Sequence, residues 1–108
     1  MTVKELSEKD GLKLLTEGLD LSTEITKPFC CDLLSIAMGK APAGAAWATV
    51  TVNTNTLAVA TLTDVACIIF AEGSAVDQAL IEKAIEEEIP LFSTDLSEFE
   101  AAMLAYEA

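Results

Sequence analysis

Arginine and histidine are both missing from this chain, and its positive charge is six lysines set against eighteen carboxylates, for a net charge of −12. A body so acidic repels phosphate backbones and anionic lipid surfaces, which argues against nucleic acid and membranes as partners. Without histidine, the side chain most often used as a general base near neutral pH and the commonest metal ligand are both lost. Cysteine is scarce and odd in number: Cys30, Cys31 and Cys67, two of them adjacent. No disulfide framework can be read from that set, which predicts reduced thiols. With so few soft ligands a zinc site, which takes about four, is not expected, and neither a metal nor a cofactor is assigned. There is no phosphate-binding loop of the Gly-x-x-x-x-Gly-Lys-Ser/Thr type, no Gly-x-Gly-x-x-Gly and no Gly-x-Ser-x-Gly. Phosphoryl transfer, dinucleotide chemistry and serine hydrolysis lose their usual signatures, and a non-catalytic protein is the expectation.

Long apolar runs are absent too. The hydrophobic residues, 52% of the 108, are dispersed in short stretches that cannot cross a bilayer as a helix. The charged opening from Met1 to Asp10 lacks the apolar run of a secretory leader, so the chain reads as cytoplasmic. Mean hydropathy is nevertheless +0.43, high for a domain this small, and predicts self-association, most simply a homodimer.

What is present is a regular alternation. Thr2 is placed to cap a first helical turn that Gly11 ends, Leu12–Leu15 reads as a strand, and Glu24–Cys31 reads as an extended edge segment because it contains Pro28. Asp32 is positioned to cap a short helix over Leu33–Met38, closed by Gly39 and Pro42. From Ala45 onward, apolar runs at Trp47–Val52, Val65–Phe70 and Ile89–Phe92 have the character of strands buried on both faces. Between and after them, Asn55–Leu62, Val76–Glu88 and Leu96–Glu107 read as helices. Ala79, Leu80 and Ala84 form the expected core face of the second, and Phe99, Met103 and Tyr106 that of the third. The expected fold is one α/β domain over residues 1–108. It is a small three-layer structure with a mainly parallel sheet, β-α-β-α-β-α over residues 45–107, preceded by a helix and two strands.

In an open parallel sheet, ligands bind beyond the carboxyl ends of the strands. Three small polar segments fall there. They supply the candidate ligand-binding residues Thr51, Asn53, Thr54 and Asn55, then Gly73, then Ser93 and Thr94. The Asn53–Thr56 run can equally be helix capping, and Asp95 with Glu98 fits a capping pair. Cys30 and Cys31 read as small buried apolar residues, Cys67 as strand core, and Glu86, Glu87 and Glu88 as a solvated helix end. No pair of carboxylates suited to acid/base work is visible from spacing.

Several stretches together resemble the small stand-alone DRTGG-type domains: Asp32–Ser35, Ala46–Val50, Asn55–Ala60, Asp64–Ile69, Gly73 and Ile89–Thr94. That family is similar to the N-terminal domain of HPr kinase/phosphorylase and also occurs inside some phosphotransacetylases and CBS-domain pyrophosphatases, as an accessory, regulatory or dimerising module. The resemblance implies an HPr kinase N-terminal-domain-like fold and a regulatory role that includes binding a metabolite, a nucleotide among the candidates. The alternative it implies is a ligand-free module that docks on itself or on a larger enzyme of a redox or phosphotransfer system. The Asp-Arg pair that names the family would fall at Asn53–Thr56 and is not there. The catalytic domain of the kinase has no counterpart in this chain.

Overall fold

The structure, a computed structural model, describes residues 1–107, which form five helices and five strands. Helix α1 (Val3–Ser7) opens with a capping box: Thr2 Oγ1 accepts the Glu5 N–H while the Glu5 carboxylate accepts the Thr2 N–H. It stops at Ser7, short of Gly11, and its apolar residues Val3 and Leu6 are buried. There follow β1 (Lys13–Leu14), β2 (Pro28–Cys30), α2 (Leu34–Lys40), β3 (Ala46–Thr49), α3 (Thr54–Thr63), β4 (Cys67–Phe70), α4 (Gln78–Glu86), β5 (Leu91–Ser93) and α5 (Glu98–Leu104).

The strands form one sheet in the order β1-β5-β4-β3-β2, with β2 to β5 parallel and β1 antiparallel to β5, Lys13 lying opposite Ser93. The parallel strands β2 to β5 run in sequence order across the sheet, so the crossovers α2, α3 and α4 that join them, right-handed as parallel connections are, all lie on one face, whereas β1 sits at the far edge beside β5. Buried residues divide accordingly. Ala46, Ala48, Cys67, Ile69 and Phe92 meet α1 and α5, whereas Trp47, Ile68, Phe70 and Leu91 meet the other three helices. Strict alternation of fully buried side chains along β3 and β4 is the mark of a central sheet covered on both sides. The mainly parallel three-layer α/β fold is therefore as expected.

The edge assignment of β2 has a physical basis. Lys27 C=O accepts from Ala46 N–H at 3.0 Å and Cys31 N–H donates to Ala48 C=O at 3.3 Å, so the odd positions face β3. Pro28 then points outward, where its missing N–H costs nothing and hinders addition of a further strand. Gly44 turns the chain into β3 at φ +77°, with Thr26 Cγ2 only 2.7 Å from where a Cβ would stand.

Several expectations from sequence need correction. Asp32 does not cap α2; Leu33 occupies that position without any side-chain cap, and Gly39 lies inside the helix. Helix α5 is capped by Ser97 with Glu100, not by Asp95 with Glu98. Its buried face is Ala101 and Ala105, while Phe99 (71% exposed), Met103 and Tyr106 point to solvent. Ala79 is exposed as well, leaving Leu80 and Ala84 to seat α4. No helix among the described residues is long and apolar enough to cross a membrane.

Candidate functional site

The parallel strands all end on the same rim of the sheet, and the segments that leave them form two adjoining groups. The first lies beyond β4 and β5. Glu72 (φ 59°) and Gly73 (φ 66°) are both left-handed, which folds the chain back so that Glu72 N–H donates to Leu96 C=O at 2.8 Å and Gly73 N–H to Thr94 C=O at 2.9 Å. Thr94 is buried; its hydroxyl donates to Gly11 C=O at 2.6 Å and accepts the Leu96 N–H at 3.1 Å. These bonds hold three loops around a shallow depression of about 450 Å³ lined by Gly11, Leu12, Lys13, Gly73, Ser74, Ser93, Thr94 and Asp95. The lysine amine and the Asp95 carboxylate give it one charge of each sign. Of the residues expected from sequence, Gly73, Ser93 and Thr94 are brought together here.

Thr51, Asn53, Thr54 and Asn55 belong elsewhere on the rim and do not line the depression. Asn53 Oδ1 accepts the Asn55 N–H at 2.8 Å and so caps α3, while Thr54 and Asn55 are exposed in its first turn. The Thr51 hydroxyl donates to Asp32 C=O at 2.8 Å, and buried Thr56 donates to Thr51 C=O at 2.6 Å.

The second group was not legible in the sequence. Asp32, just beyond β2, accepts hydrogen bonds on Oδ1 from the Thr49 hydroxyl and the Val50 N–H, each at 3.0 Å, so it ties the ends of β2 and β3 together. Its carboxyl also meets that of Glu98, the first residue of α5. Two carboxylates in contact cannot both ionise cheaply, and the environment decides which keeps the proton. Burial pushes Asp32 up, but the Val50 N–H, Glu98 and the Thr49 hydroxyl outweigh this and hold it below the usual range. Burial, the hydrogen bond to Asp32, and the charges of Asp32 and Glu72 push Glu98 up to about 7. Below about pH 7 Glu98 is therefore the member of the pair that holds the proton, while Asp32 stays ionised.

The cysteines differ from expectation. Cys30 is exposed and Cys31 half-buried, so they are not a buried pair; Cys67 is buried, as a core position should be, and its thiol is pushed up to about 12. Beside the carboxyl pair, the Cys30 thiol, although its residue is exposed, is raised by partial desolvation of the sulfur and by the negative charges of Glu98 and Asp32, and it donates to Glu98 C=O at 3.6 Å. A thiol held protonated is a poor nucleophile. Among the described residues, no three histidine, cysteine, aspartate or glutamate side chains converge as metal ligands. A scan against protein-family models and a search of curated proteins returned no match to the chain.

Proposed function

We propose that the chain is a non-catalytic regulatory or accessory domain that binds a small metabolite, a nucleotide among the candidates, at the carboxyl ends of its parallel strands. The observation that carries this reading is the depression between the β4–α4 and β5–α5 loops, whose volume of about 450 Å³ lies within the usual range for small-molecule sites. Ser93 contributes to its lining, and at Gly73 a Cβ would stand 3.1 Å from the Asp95 carboxylate, another lining group. Lys13, on the facing edge strand, is the one cation lining it, in a body of net charge −12. The carboxyl pair can hold and release a proton, but its nearest reactive neighbour is a thiol kept in its inert form, which favours binding over catalysis. In this reading the chain is a DRTGG-type module with an HPr kinase N-terminal-like fold, working in the cytoplasm, an assignment resting on the residue pattern alone.

Thermal unfolding against ATP, ADP, cyclic AMP and acetyl phosphate, with and without magnesium, tests it. A probe at about 100 times its dissociation constant adds roughly 2.7 kcal/mol and moves the midpoint by several degrees. Lys13→Ala should remove that shift. A flat response across the panel overturns the reading, and a shift lost in Asn55→Ala but kept in Lys13→Ala moves the site to the β3–α3 loop.

A second reading, association without a ligand, is favoured by a separate observation. Among the described residues, eight large apolar side chains stand exposed, including Leu62 at 72% and Phe99 at 71%. A domain that works by docking on a second copy, or on a larger enzyme, leaves such residues outside until the partner covers them.

A further inference from the structure

The exposed apolar side chains are not spread evenly. Five of the eight, Leu33, Ile36, Met38, Val50 and Leu62, come from residues 33–63. That stretch contains a single charged residue, Lys40, so all eighteen carboxylates and five of the six lysines lie outside it. Its helices α2 and α3 pack side by side on the same face of the sheet. Solvent-facing helices normally carry charge on their outer side, and an uncharged one is normally covered. Here Ala58, Thr61 and Leu62 form the outside of α3, and Ile36 and Met38 stand out from α2. Helix α2 is also poorly supported from within, since it has no side-chain cap and Ala37 is its one fully buried residue.

We propose that the outer surface of α2 and α3 is a self-association interface across which two copies of this chain pair about a twofold axis. This deepens the association reading and rests on it. The occupant is a second copy because of the charge. At net −12, with all eighteen carboxylates outside residues 33–63, two copies approaching through the rest of the surface bring like charges together, whereas this surface sets nearly neutral against nearly neutral and lets apolar burial act with little opposition. The exception, Lys40, is of the right sign for a patch bounded by Asp32 and Asp64 on the opposing copy. A standard interface takes about 800 Å² from each partner. That is roughly a seventh of the 5679 Å² the chain exposes, a share two neighbouring helices and their flanking loops can supply.

Sedimentation equilibrium over about 1 to 100 μM is the direct test, comparing the natural chain with Ile36→Glu, Leu62→Glu and, on the opposite layer, Phe99→Glu. The natural chain should be a dimer near the top of that range. Either α2/α3 variant, by setting like charges face to face, should raise its dissociation constant about 100-fold, with Phe99→Glu unchanged. Hydrogen exchange in the unmodified chain gives a second readout that does not depend on a variant folding: amides of α2 should lose protection on dilution while those of β4 keep it. A natural chain that stays monomeric throughout overturns both the association reading and this surface. A dimer that survives Ile36→Glu and Leu62→Glu but falls apart with Phe99→Glu keeps the association and overturns the surface.

Discussion

At the scale of single residues, the contact of Asp32 with Glu98, together with the bonds Asp32 accepts from Thr49 and Val50, links three segments that the chain brings together only on folding: the end of β2, the end of β3 and the start of α5. Its consequence for stability follows from the direction of each shift. Glu98 rises from 4.5 in the unfolded chain to about 7, so the folded state holds a proton that the unfolded state has already released. That contribution is fully present below pH 4.5 and is lost as pH climbs through 7. Asp32 is lowered, so its contribution is present above its ordinary value of 3.8 and is lost as pH falls below that. The pair is therefore best suited to mildly acidic solution. Glu98→Gln keeps a donor toward Asp32 and removes the titration. Because the pair is partly open to water, screening holds the effect to about 1 kcal/mol. Urea unfolding at pH 5 and pH 8 should show the variant equal to the natural chain at the lower pH and about 1 kcal/mol more stable at the higher. Parallel pH profiles would show that Glu98 holds no such proton. Sequence reading could not find this pair, since neither residue carries a spacing signal and Asp32 before an apolar stretch looks like a helix cap.

At the scale of elements, the alternation of strands and helices was legible because β3, β4 and β5 are short apolar runs bounded by polar turns, and a strand buried on both faces has no other composition open to it. Which face of α5 turns inward was not. Phe99, Met103 and Tyr106 share one helical stripe and Ala101 and Ala105 another, and hydrophobic size favours the first. The sheet decides otherwise. At the layer where α5 lands, β3 presents Ala46 and Ala48, both fully buried, and small residues on both sides let the helix lie close against the strands. Room for phenylalanine there does not exist. Capping shows the same limit: Asp95 with Glu98 and Ser97 with Glu100 both fit the motif, and the Leu96 N–H bonded to Thr94 delays the helix until the second. Ala101→Leu should accordingly cost about 1–3 kcal/mol by overpacking. Phe99→Ser and Met103→Ser, both at exposed positions, should each stay within about 0.5 kcal/mol of the natural chain in urea titrations. A large loss from Phe99→Ser would place that ring in a core.

At the scale of the whole molecule, composition disclosed an excess of carboxylates and a high hydropathy but not that the two are segregated, with the neutral surface on α2 and α3 and the charge on the remainder. That partition leaves the acidic part with little internal compensation. Among the described residues one ion pair between side chains forms, Lys83 with Glu87 at 3.4 Å, and both partners are partly open to water. The molecule spans 30 × 29 × 25 Å. At about 0.01 M salt the screening length is also about 30 Å, so each carboxylate acts on nearly every other, whereas at about 1 M it shrinks to about 3 Å and the repulsion is confined to immediate neighbours. Folding gathers this charge into a smaller volume, so adding salt should stabilise the folded chain. The melting temperature is expected to climb by several degrees between these two concentrations, equivalent to about 1 kcal/mol for a domain of this size. Sodium chloride and tetramethylammonium chloride should act alike if screening is the cause, because the bulky cation cannot enter a tight carboxylate site. A rise confined to sodium would instead indicate a bound cation, and no rise with either would mean that the acidic surface is spaced widely enough for its repulsion to leave the fold untouched.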